Sequence, residues 1–398
     1  MTIDEIIDGW LDKIQGRLSD VELQWFHRVG DTLKKIDSLP ADKLNNYVYS
    51  LEYREFINND LRKLKNLLNT ANVANLKDIQ SMFDDVIATV YTDAQELSEL
   101  KAQGLSSKAI YRKTVTPLLR KTMRDYTIMA KSTTTDKFYR DTMRQMVNKM
   151  TIDPERLNYH QTMRLAVTEL SQQGISYVHY DNKRNPYTRR LDSSVRVALS
   201  GEMSQIVQNI TYKLADDLQC DAYEISVEQT PAPDHEFVQG KVFEIAEFEK
   251  LQAYEPATDT DGEIHHLTKR NIGQYNCRHT FFPFIIGVSE RSHTQEDLDK
   301  IHDRNHEKIE FNGKKHTLYE LTQLQRQNET DQRKERGKLE IIRQVAGSDP
   351  AFKQDMRESQ AKIKDLRTEY SRLGQVLEPH GIIMKPNRAY NINARGFR

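Results

Sequence analysis

The chain has 398 residues, of which 37% are hydrophobic and 29% are charged, with a formal net charge of −1 at pH 7. This length allows two or three domains with substantial cores, and the near-zero charge excludes a global field that would draw the protein to nucleic acid or to a membrane. With only Cys220 and Cys277, a disulfide framework is excluded as the main source of stability. No apolar run approaches the roughly 18 to 20 residues that span a bilayer. The acidic, amphipathic N-terminus does not resemble a secretory signal, and together with the small number of cysteines this predicts folding in a reducing cytoplasm.

Residues 1–175 are predicted to form a helical docking region, because apolar residues recur at steps of three and four with few glycines or prolines between them. The first four helices are predicted at about residues 3–14, 21–38, 44–68 and 79–104. A basic helix follows. A last helix is expected to open at Asp153-Pro154, with proline in its first turn, and to end near Gly174.

The basic helix belongs to a segment of unusual charge. Residues 101–150 contain 12 Lys/Arg against 3 Asp/Glu, whereas residues 1–100 contain 11 Lys/Arg against 18 Asp/Glu. Five apolar side chains are predicted to face inward: Ile110, Val115, Leu118, Leu119 and Met123. The candidate contacts to DNA or to a partner are Arg112, Lys113, Arg120, Lys121 and Arg124, together with Lys385, Arg388, Arg395 and Arg398 of a basic tail over residues 385–398.

Residues 176–290 are predicted to form a small central α+β domain. Alternating residues predict strands at 175–180 and 223–227, and the polar segment 181–190 is predicted to be a loop. Asp192 is expected to cap a helix that runs to about Leu218. Asp192 and Arg196 are spaced for a local ion pair, or the arginines at 189, 190 and 196 present charge to a partner.

Residues 291–384 are predicted to form a hairpin and a charged helical pair. Asn312-Gly313 is a strong type I′ turn signal, and helices are expected at 317–345 and 350–374. Their dense charge predicts solvated faces with local ion pairs. The fold class is therefore α+β, predominantly α-helical.

Several histidine and cysteine residues are spaced as metal ligands could be, but each group also has a plainer interpretation. Cys277 and His279 supply two ligands where a structural zinc site needs four, so Cys277 is interpreted as a buried small hydrophobic residue. Arg278 and His279 are then expected to hydrogen-bond the loop at 233–241. His302 and His306 are spaced for one helix face but lie in polar surroundings, and His265-His266 is interpreted as exposed. Gln239-Gly240-Lys241 lacks the second glycine of a phosphate loop. No metal, cofactor or catalytic residue is predicted.

Four segments, in one order over about half of the chain, resemble the tailed-phage minor capsid protein family (phage minor capsid protein 2 type), related to the Mu F-like head-morphogenesis proteins. Residues 271–287, NIGQYNCRHTFFPFIIG, resemble the family's Asn-Cys-Arg-His-x-x-x-Pro-Phe signature, here Asn276, Cys277, Arg278 and His279. Residues 233–241 resemble its Pro-x-His-x-x-x-Gln-Gly-Lys motif, here His235, Gln239, Gly240 and Lys241. Residues 192–215 resemble its Asp-x-x-Val-Arg segment, here Asp192 and Arg196, and residues 319–343 resemble its Tyr-Glu-x-Thr-Gln-x-Gln-Arg segment.

The resemblance also has departures. The family usually carries histidine, arginine and tryptophan near the second motif, where this chain has Glu228, Ala232 and Val238. Losing three such groups would abolish an active site, whereas a packing motif tolerates the change. These motif residues are therefore interpreted as structural.

The resemblance implies a virion component of few copies, incorporated during head assembly in the capsid interior or at the portal vertex, where it supports DNA packaging or ejection. Its expected partners are the portal protein, the major capsid protein or both, with non-specific phosphate contacts to packaged DNA and no membrane or small-molecule substrate. Two alternatives stay open: an enzyme of ADP-ribosyltransferase or toxin type on the central domain, and a sequence-independent DNA-binding internal head protein.

Overall fold

The computed structural model describes residues 3–44, 47–101, 106–151, 159–180, 186–274, 277, 279–346 and 350–389, without the side chains of residues 41, 42, 48, 93–101, 159, 180 and 387. The helices in these ranges are α1 (Ile3–Asp37), α2 (Ala41–Leu44), α3 (Leu51–Lys101), α4 (Lys108–Lys131), α5 (Thr135–Thr151), α6 (Tyr159–Gln173), α7 (Leu191–Asp217), α8 (Ile245–Gln252), α9 (Gln295–His306), α10 (Leu318–Val345) and α11 (Pro350–Leu377). The strands are β1 (Ser176–Tyr180), β2 (Pro186–Arg190), β3 (Ala222–Ile225), β4 (Val242–Glu244), β5 (Ala257–Thr258), β6 (Ile264–His265), β7 (Phe281–Phe284), β8 (Ile309–Phe311) and β9 (Lys314–His316). The predicted class, predominantly helical α+β, is confirmed.

The first two long helices are each unbroken where two helices were predicted, so those divisions are wrong. In α1 the apolar stripe passes through the expected gap at the buried Leu18, and no proline interrupts it before Pro40. α3 runs for 51 residues and contains neither glycine nor proline. In both segments the apolar stripe continues with the same helical period, so each added turn buries its apolar side chains on the same face. Extension of the helix therefore stays favourable, and both segments are helical throughout.

α4 is the predicted basic helix, and one of its five predicted core positions is wrong. Val115 and Leu119 are buried, and Leu118 and Met123 pack against the core. Ile110 is exposed because Tyr111, fully buried, takes the inward position in the first turn. After a short connection α5 follows, and α6 ends at Gln173, next to the predicted stop at Gly174.

The main apolar core, which we call the helical body, is built by α1, α3, α4, α5, α6, α7 and α10, with Phe352 contributed by α11. Trp25 of α1 and Tyr139 of α5 meet edge to face, with ring centroids 4.8 Å apart. α1 and α10 approach closely where Gly337 packs on the ring of Phe26. A Cβ atom at position 337 would lie 2.4 Å from Phe26 Cε2, so this crossing requires glycine.

The segment between α6 and α7 is a hairpin, so the predicted loop at 181–190 is wrong for its second half. β2 pairs antiparallel with β1, placing Tyr187 opposite His179 with their rings stacked. Residues 181–185 lie outside the described ranges. Asp192 does not cap α7 as expected, because Arg190 is the N-cap residue and Asp192 lies inside the first turn.

A second apolar core, which we call the sheet unit, extends from Ala215 at the end of α7 to Ile285. Its three strands are antiparallel in the order β4-β3-β7, and α8 packs on them. The rings of Tyr223, Phe248 and Phe281 lie with centroids 4.6 to 5.1 Å apart. Since α7 contributes to both cores, it connects the helical body to the sheet unit. The division into four regions stays a prediction.

The last part of the chain contains α9, the β8–β9 hairpin and the α10–α11 pair. Asn312 and Gly313 both have positive φ, as the predicted type I′ turn requires. The prediction of solvated faces is wrong for α10, which lies against α1, α6 and α11. Three of its glutamates, Glu329, Glu335 and Glu340, are buried. The sequence shows their charge but not the partners that allow burial.

Among the described helices, none combines the length and the apolar character needed to cross a bilayer.

Candidate functional site

Charged side chains from distant parts of the chain meet around the start of α7. We call this set the ionic junction. It consists of Asp8, Asp12, Gln15 and Glu22 of α1, Arg190, Asp192 and Arg196 at α7, Glu329 and Arg333 of α10, and Lys385 and Arg388 after α11. The junction joins the first and last described segments of the chain.

Asp192 is buried at the centre of the junction. Its Oδ2 lies 3.3 Å from Arg333 Nε and accepts a hydrogen bond from Gln15 Nε2 at 3.5 Å. Burial alone would raise the pKa of this carboxyl, but the charges of Arg333 and Arg190 outweigh it, so the pKa of Asp192 lies below its usual value. The aspartate therefore connects α7 to α1 and α10.

Arg196 does not form the predicted local pair with Asp192. It donates instead to Asp12 Oδ1 at 2.6 Å and to Asp8, both on α1. Burial and the neighbouring Arg388 lower the pKa of Arg196. Because its guanidinium is turned toward α1, Arg196 is a packing residue of the junction.

Arg190 is also engaged inside the protein, although its charge could have been presented to a partner. It is buried and donates to Glu22 of α1 and to the carbonyl of Ser171. The other oxygen of Glu22 accepts from the amide of Ile175 at 2.8 Å. The pair therefore fixes the start of the β1–β2 hairpin on α1.

Two predicted DNA or partner contacts, Lys385 and Arg388, lie in the junction. Lys385 Nζ is 3.0 Å from Asp8 Oδ2, and Arg388 Nε donates to Asp12 Oδ1 at 2.8 Å. Their charges are thus matched by the acidic N-terminal helix. Arg395 and Arg398 lie outside the described residues.

The Gln239-Gly240-Lys241 motif forms the turn that returns from the loop after β3. Gly240 has φ +68°, and its amide donates to the carbonyl of Ile225 at 2.9 Å. Lys241 is buried, with Nζ 3.0 Å from Glu263 Oε2 and 3.8 Å from Asp259 Oδ2. These residues stabilise a loop and present no open cradle of amides for a phosphate.

His235, Cys277 and His279 form a buried group that we call the Cys-His cluster. His235 Nδ1 is 3.0 Å from Cys277 Sγ, which is 3.4 Å from His279 Nδ1. The two segments meet because β3 pairs with β7, which places the end of one strand beside the start of the other. The amide of Ser226 donates to the carbonyl of Thr280 at 3.0 Å. Asn276 and Arg278 lie outside the described residues.

The cluster is uncharged at neutral pH. Burial lowers the pKa of His279 to about 3 and the pKa of His235 below its usual value. Burial also raises the pKa of the Cys277 thiol to about 11. A thiol in this state is a poor nucleophile, so the group is suited to packing or to coordination rather than to covalent catalysis.

Two further clusters combine histidine with carboxylates in the described ranges. His302 and His306 both face Glu236, with His306 Nε2 3.0 Å from Glu236 Oε2, and both imidazoles are exposed. His265 is buried and paired with Asp259 at 2.9 Å, so its interpretation as exposed is wrong. In that cluster the ammonium of Lys241 already occupies the position of a cation.

α4 presents its cations outward. All five predicted contact residues are exposed, but three have carboxylates nearby. Arg112 lies 2.8 Å from Asp84, Lys121 pairs with Glu202 of α7 and lies 3.4 Å from Asp125, and Arg124 lies 3.6 Å from Asp125. No salt bridge is found for Lys113 or Arg120 within the described part of the chain.

The expected hydrogen bond from His279 to the loop at 233–241 is present, with His279 Nε2 3.4 Å from Gln239 Oε1, whereas Arg278 lies outside the described residues. Sequence reasoning did not single out His235, 42 residues before Cys277, as the neighbour of the thiol. It also missed the burial of α10. The available signal was the spacing of Gln325, Asn328 and Gln332, a polar stripe at three- and four-residue steps.

Comparison with known proteins gives one family match. The model of the family described as phage minor capsid protein 2 matches residues 20–371, which is most of the chain. No curated protein and no solved structure matches.

Proposed function

The chain belongs to the phage minor capsid protein 2 family, and from this membership we propose that it occupies the portal vertex or the capsid interior. As a bacteriophage minor capsid protein, it is a component of the virion. In this proposal it docks on the portal protein, the major capsid protein or both during head assembly. It then supports the packaging or ejection of DNA.

The observation that carries the DNA part of the proposal is the outward face of α4. This helix packs against α3 and α7, so its exposed cations are held on a rigid element. Its 24 residues extend about 36 Å, close to one turn of B-form DNA. A helix of this length and charge suits contacts to successive phosphates without reading sequence.

The intramolecular partners of these cations do not oppose this role. Exposed ion pairs such as Arg112 with Asp84 are worth about 0 to 1 kcal/mol, so a phosphate competes easily for the same cation. Lys113 and Arg120 need no exchange of partners. The proposed contact therefore rests on α4 more than on Lys385 and Arg388, which are matched by aspartates.

We propose a structural rather than a catalytic role for the sheet unit. Val238, at the position where the family has tryptophan, is fully buried in its core. The polar groups of the motif bond to one another, as Gln239 does to the amide of Glu228 at 3.1 Å. These contacts support packing as the function of the motif.

The DNA contact is tested with two matched variants of the full chain. In the first, five cations of α4 become glutamine: Arg112, Lys113, Arg120, Lys121 and Arg124. In the control, five exposed cations of α11 become glutamine: Lys353, Arg357, Lys364, Arg367 and Arg372. Affinity for random duplex DNA is measured by fluorescence anisotropy as a function of salt.

We expect the α4 variant to bind more weakly and its slope of log affinity against log salt to be smaller by about 2 to 5. The control should keep the wild-type slope. Equal slopes for both variants, or no binding by the wild type, would remove DNA contact by α4 from the proposal.

The location is tested by a cryo-EM reconstruction without imposed symmetry, on particles assembled with the neighbouring head proteins. Density that matches α1, α3 and α10 at the portal vertex or on the inner capsid surface is the expected result. Purified heads that lack the chain, or density confined to the outer lattice, would contradict the proposed location.

A further inference from the structure

We propose that His235, Cys277 and His279 bind one divalent transition-metal ion of the zinc type, which fastens the loop after β3 to the start of β7. The three side chains are all buried, and their ligand atoms lie within 4.8 Å of one another. A thiolate and two imidazoles are the donor set that zinc and its neighbours prefer over magnesium or calcium.

The distances fit a tetrahedral ion. Zinc bonds of about 2.3 Å to sulfur and about 2.0 to 2.1 Å to nitrogen place neighbouring ligand atoms roughly 3.5 Å apart. In the cluster, Sγ of Cys277 lies 3.0 Å from Nδ1 of His235 and 3.4 Å from Nδ1 of His279. These two distances differ from the tetrahedral value by a few tenths of an ångström, and the two imidazole nitrogens lie within 4.8 Å of each other, so an ion would draw the two rings together. The fourth position is left to a further ligand.

The hydrogen bond at Nε2 of each imidazole fixes its tautomer. The proton lies on Nε2, and the lone pair of Nδ1 points toward the sulfur. Nε2 of His235 lies 2.8 Å from the carbonyl of Arg270 and must donate to it. Nε2 of His279 faces Oε1 of Gln239 at 3.4 Å, an atom identified as an acceptor by the amide of Glu228. Carbonyl and amide acceptors of this kind orient histidine ligands in metal sites.

Both Nδ1 atoms are therefore acceptors, and they share a single thiol proton. A thiol donates one hydrogen bond, so one buried imidazole lone pair remains without a donor inside the cluster. A metal ion bound to the thiolate satisfies both lone pairs at once. Binding releases that one proton, and the positive ion balances the thiolate charge in a buried site.

The scaffold around the cluster is held in place before any ion binds. Arg270, whose carbonyl orients His235, forms a two-fold pair with Asp234, at 2.9 Å for each bond. The amide of Cys277 donates to the carbonyl of Gln274 at 2.9 Å. The ligands are thus positioned by contacts independent of the metal, which favours binding because little ordering remains to be done.

The test uses the full chain, purified after growth with added zinc, and elemental analysis of the bound metal. We expect about one zinc per chain in the wild type and loss of at least nine-tenths of it in Cys277→Ser. Cys220→Ser is the matched control, since Cys220 is also buried in the sheet unit but lies outside the cluster, and it should retain its zinc. The double variant His302→Gln with His306→Gln excludes the exposed cluster and should also retain zinc.

Replacement of zinc by cobalt in the wild-type protein provides an independent spectroscopic test that needs no variant. A thiolate charge-transfer band and the intense visible bands of tetrahedral cobalt are expected, and zinc added to the metal-free protein should raise its melting temperature. X-ray absorption should give one sulfur at about 2.3 Å and nitrogen ligands at about 2.0 to 2.1 Å. The proposal is overturned if the wild type carries no metal and shows no thiolate band, or if Cys277→Ser keeps its zinc.

Discussion

α4 and α10 are both densely charged helices, yet one exposes its charges and the other buries them. On α4, seven cations accompany one acid, Asp125, so the charges cannot neutralise one another. On α10 both signs alternate, and the buried carboxylates find partners: Tyr370 donates to Glu329 at 3.1 Å, and Lys362 lies 3.3 Å from Glu335. Side chains of opposite charge, as on α10, can be buried between helices as ion pairs. Side chains of one charge, as on α4, stay at the surface, where they can bind an oppositely charged molecule.

The largest effect is expected from Arg190→Ala at the ionic junction. This change leaves the carboxylate of Glu22 buried without its cation, and we expect the free energy of unfolding to fall by about 3 to 5 kcal/mol. Urea unfolding measures it. Arg144→Ala, which breaks an exposed pair with Asp141, is the control and should cost about 0 to 1 kcal/mol.

A double variant of Arg190 and Glu22 separates the effect of charge from the effect of packing. Arg190→Met combined with Glu22→Gln removes both charges but keeps volume and an acceptor for the amide of Ile175. The double variant should recover more than half of the free energy of unfolding that Arg190→Ala loses. A cost of Arg190→Ala no larger than that of Arg144→Ala would contradict the assignment of a buried, energetically coupled pair.

Gly337→Ala is expected to destabilise the crossing of α1 and α10. The added Cβ would meet the ring of Phe26 at 2.4 Å, and overpacking of this kind costs about 1 to 3 kcal/mol. Gly201→Ala on α7 is the control, because no atom of the described residues lies within 4 Å of its Cβ position, and it should stabilise the protein by up to about 1 kcal/mol. Thermal unfolding compares the two, and stabilisation by both would show that the helices separate freely.

Asp192→Asn tests whether a buried, paired carboxylate makes the stability of the protein depend on pH. The pKa of Asp192 is lower in the folded protein than in the unfolded chain, so the unfolded state takes up the proton first and stability falls with pH below about 4. The variant lacks this contribution. It should be less stable than wild type at pH 7, and the difference should shrink steadily as the pH falls through the folded pKa. A constant difference in melting temperature from pH 7 to pH 3 would contradict this account.

The smallest effect on stability is expected from the five-fold neutralisation of α4. These side chains are exposed and their ion pairs are weak, so the free energy of unfolding should change by about 1 kcal/mol or less. The α11 variant should behave alike. A loss as large as that of Arg190→Ala would mean that the α4 cations stabilise the fold itself.

Sequence periodicity predicts much of this architecture because each helix carries its own apolar stripe. It places α4, the end of α6, the Asn312-Gly313 hairpin and the α10–α11 pair. It fails where a helix continues for lack of a stop, as in α1 and α3. It also fails for α10, since the burial of Glu340 depends on His27, whose Nδ1 lies 2.8 Å away and which comes 313 residues earlier.

The candidate site was predictable only in part for the same reason. Motif resemblance indicated His235, Cys277 and His279, and a contact between His279 and the loop at 233–241 was expected. The structure brings all three residues to one point because β3 and β7 are neighbours. Local spacing predicted an ion pair between Asp192 and Arg196, but in the structure Asp192 pairs with Arg333 of α10 and Arg196 pairs with aspartates of α1. A single sequence indicates which residues carry chemistry more readily than which of them meet.

The ion pair between Asp8 and Lys385 can form only late in the synthesis of the chain. The two residues lie 377 positions apart, so at about 5 to 20 residues per second roughly 20 to 75 s separate their appearance. Throughout that interval Asp8 and Asp12 of α1 lack the cations of the segment after α11. The face of α1 that receives α10 stays open to solvent or to chaperones until Leu318–Val345 has been made. The growing chain therefore exposes an incomplete surface on α1 until Lys385 and Arg388 have left the ribosome.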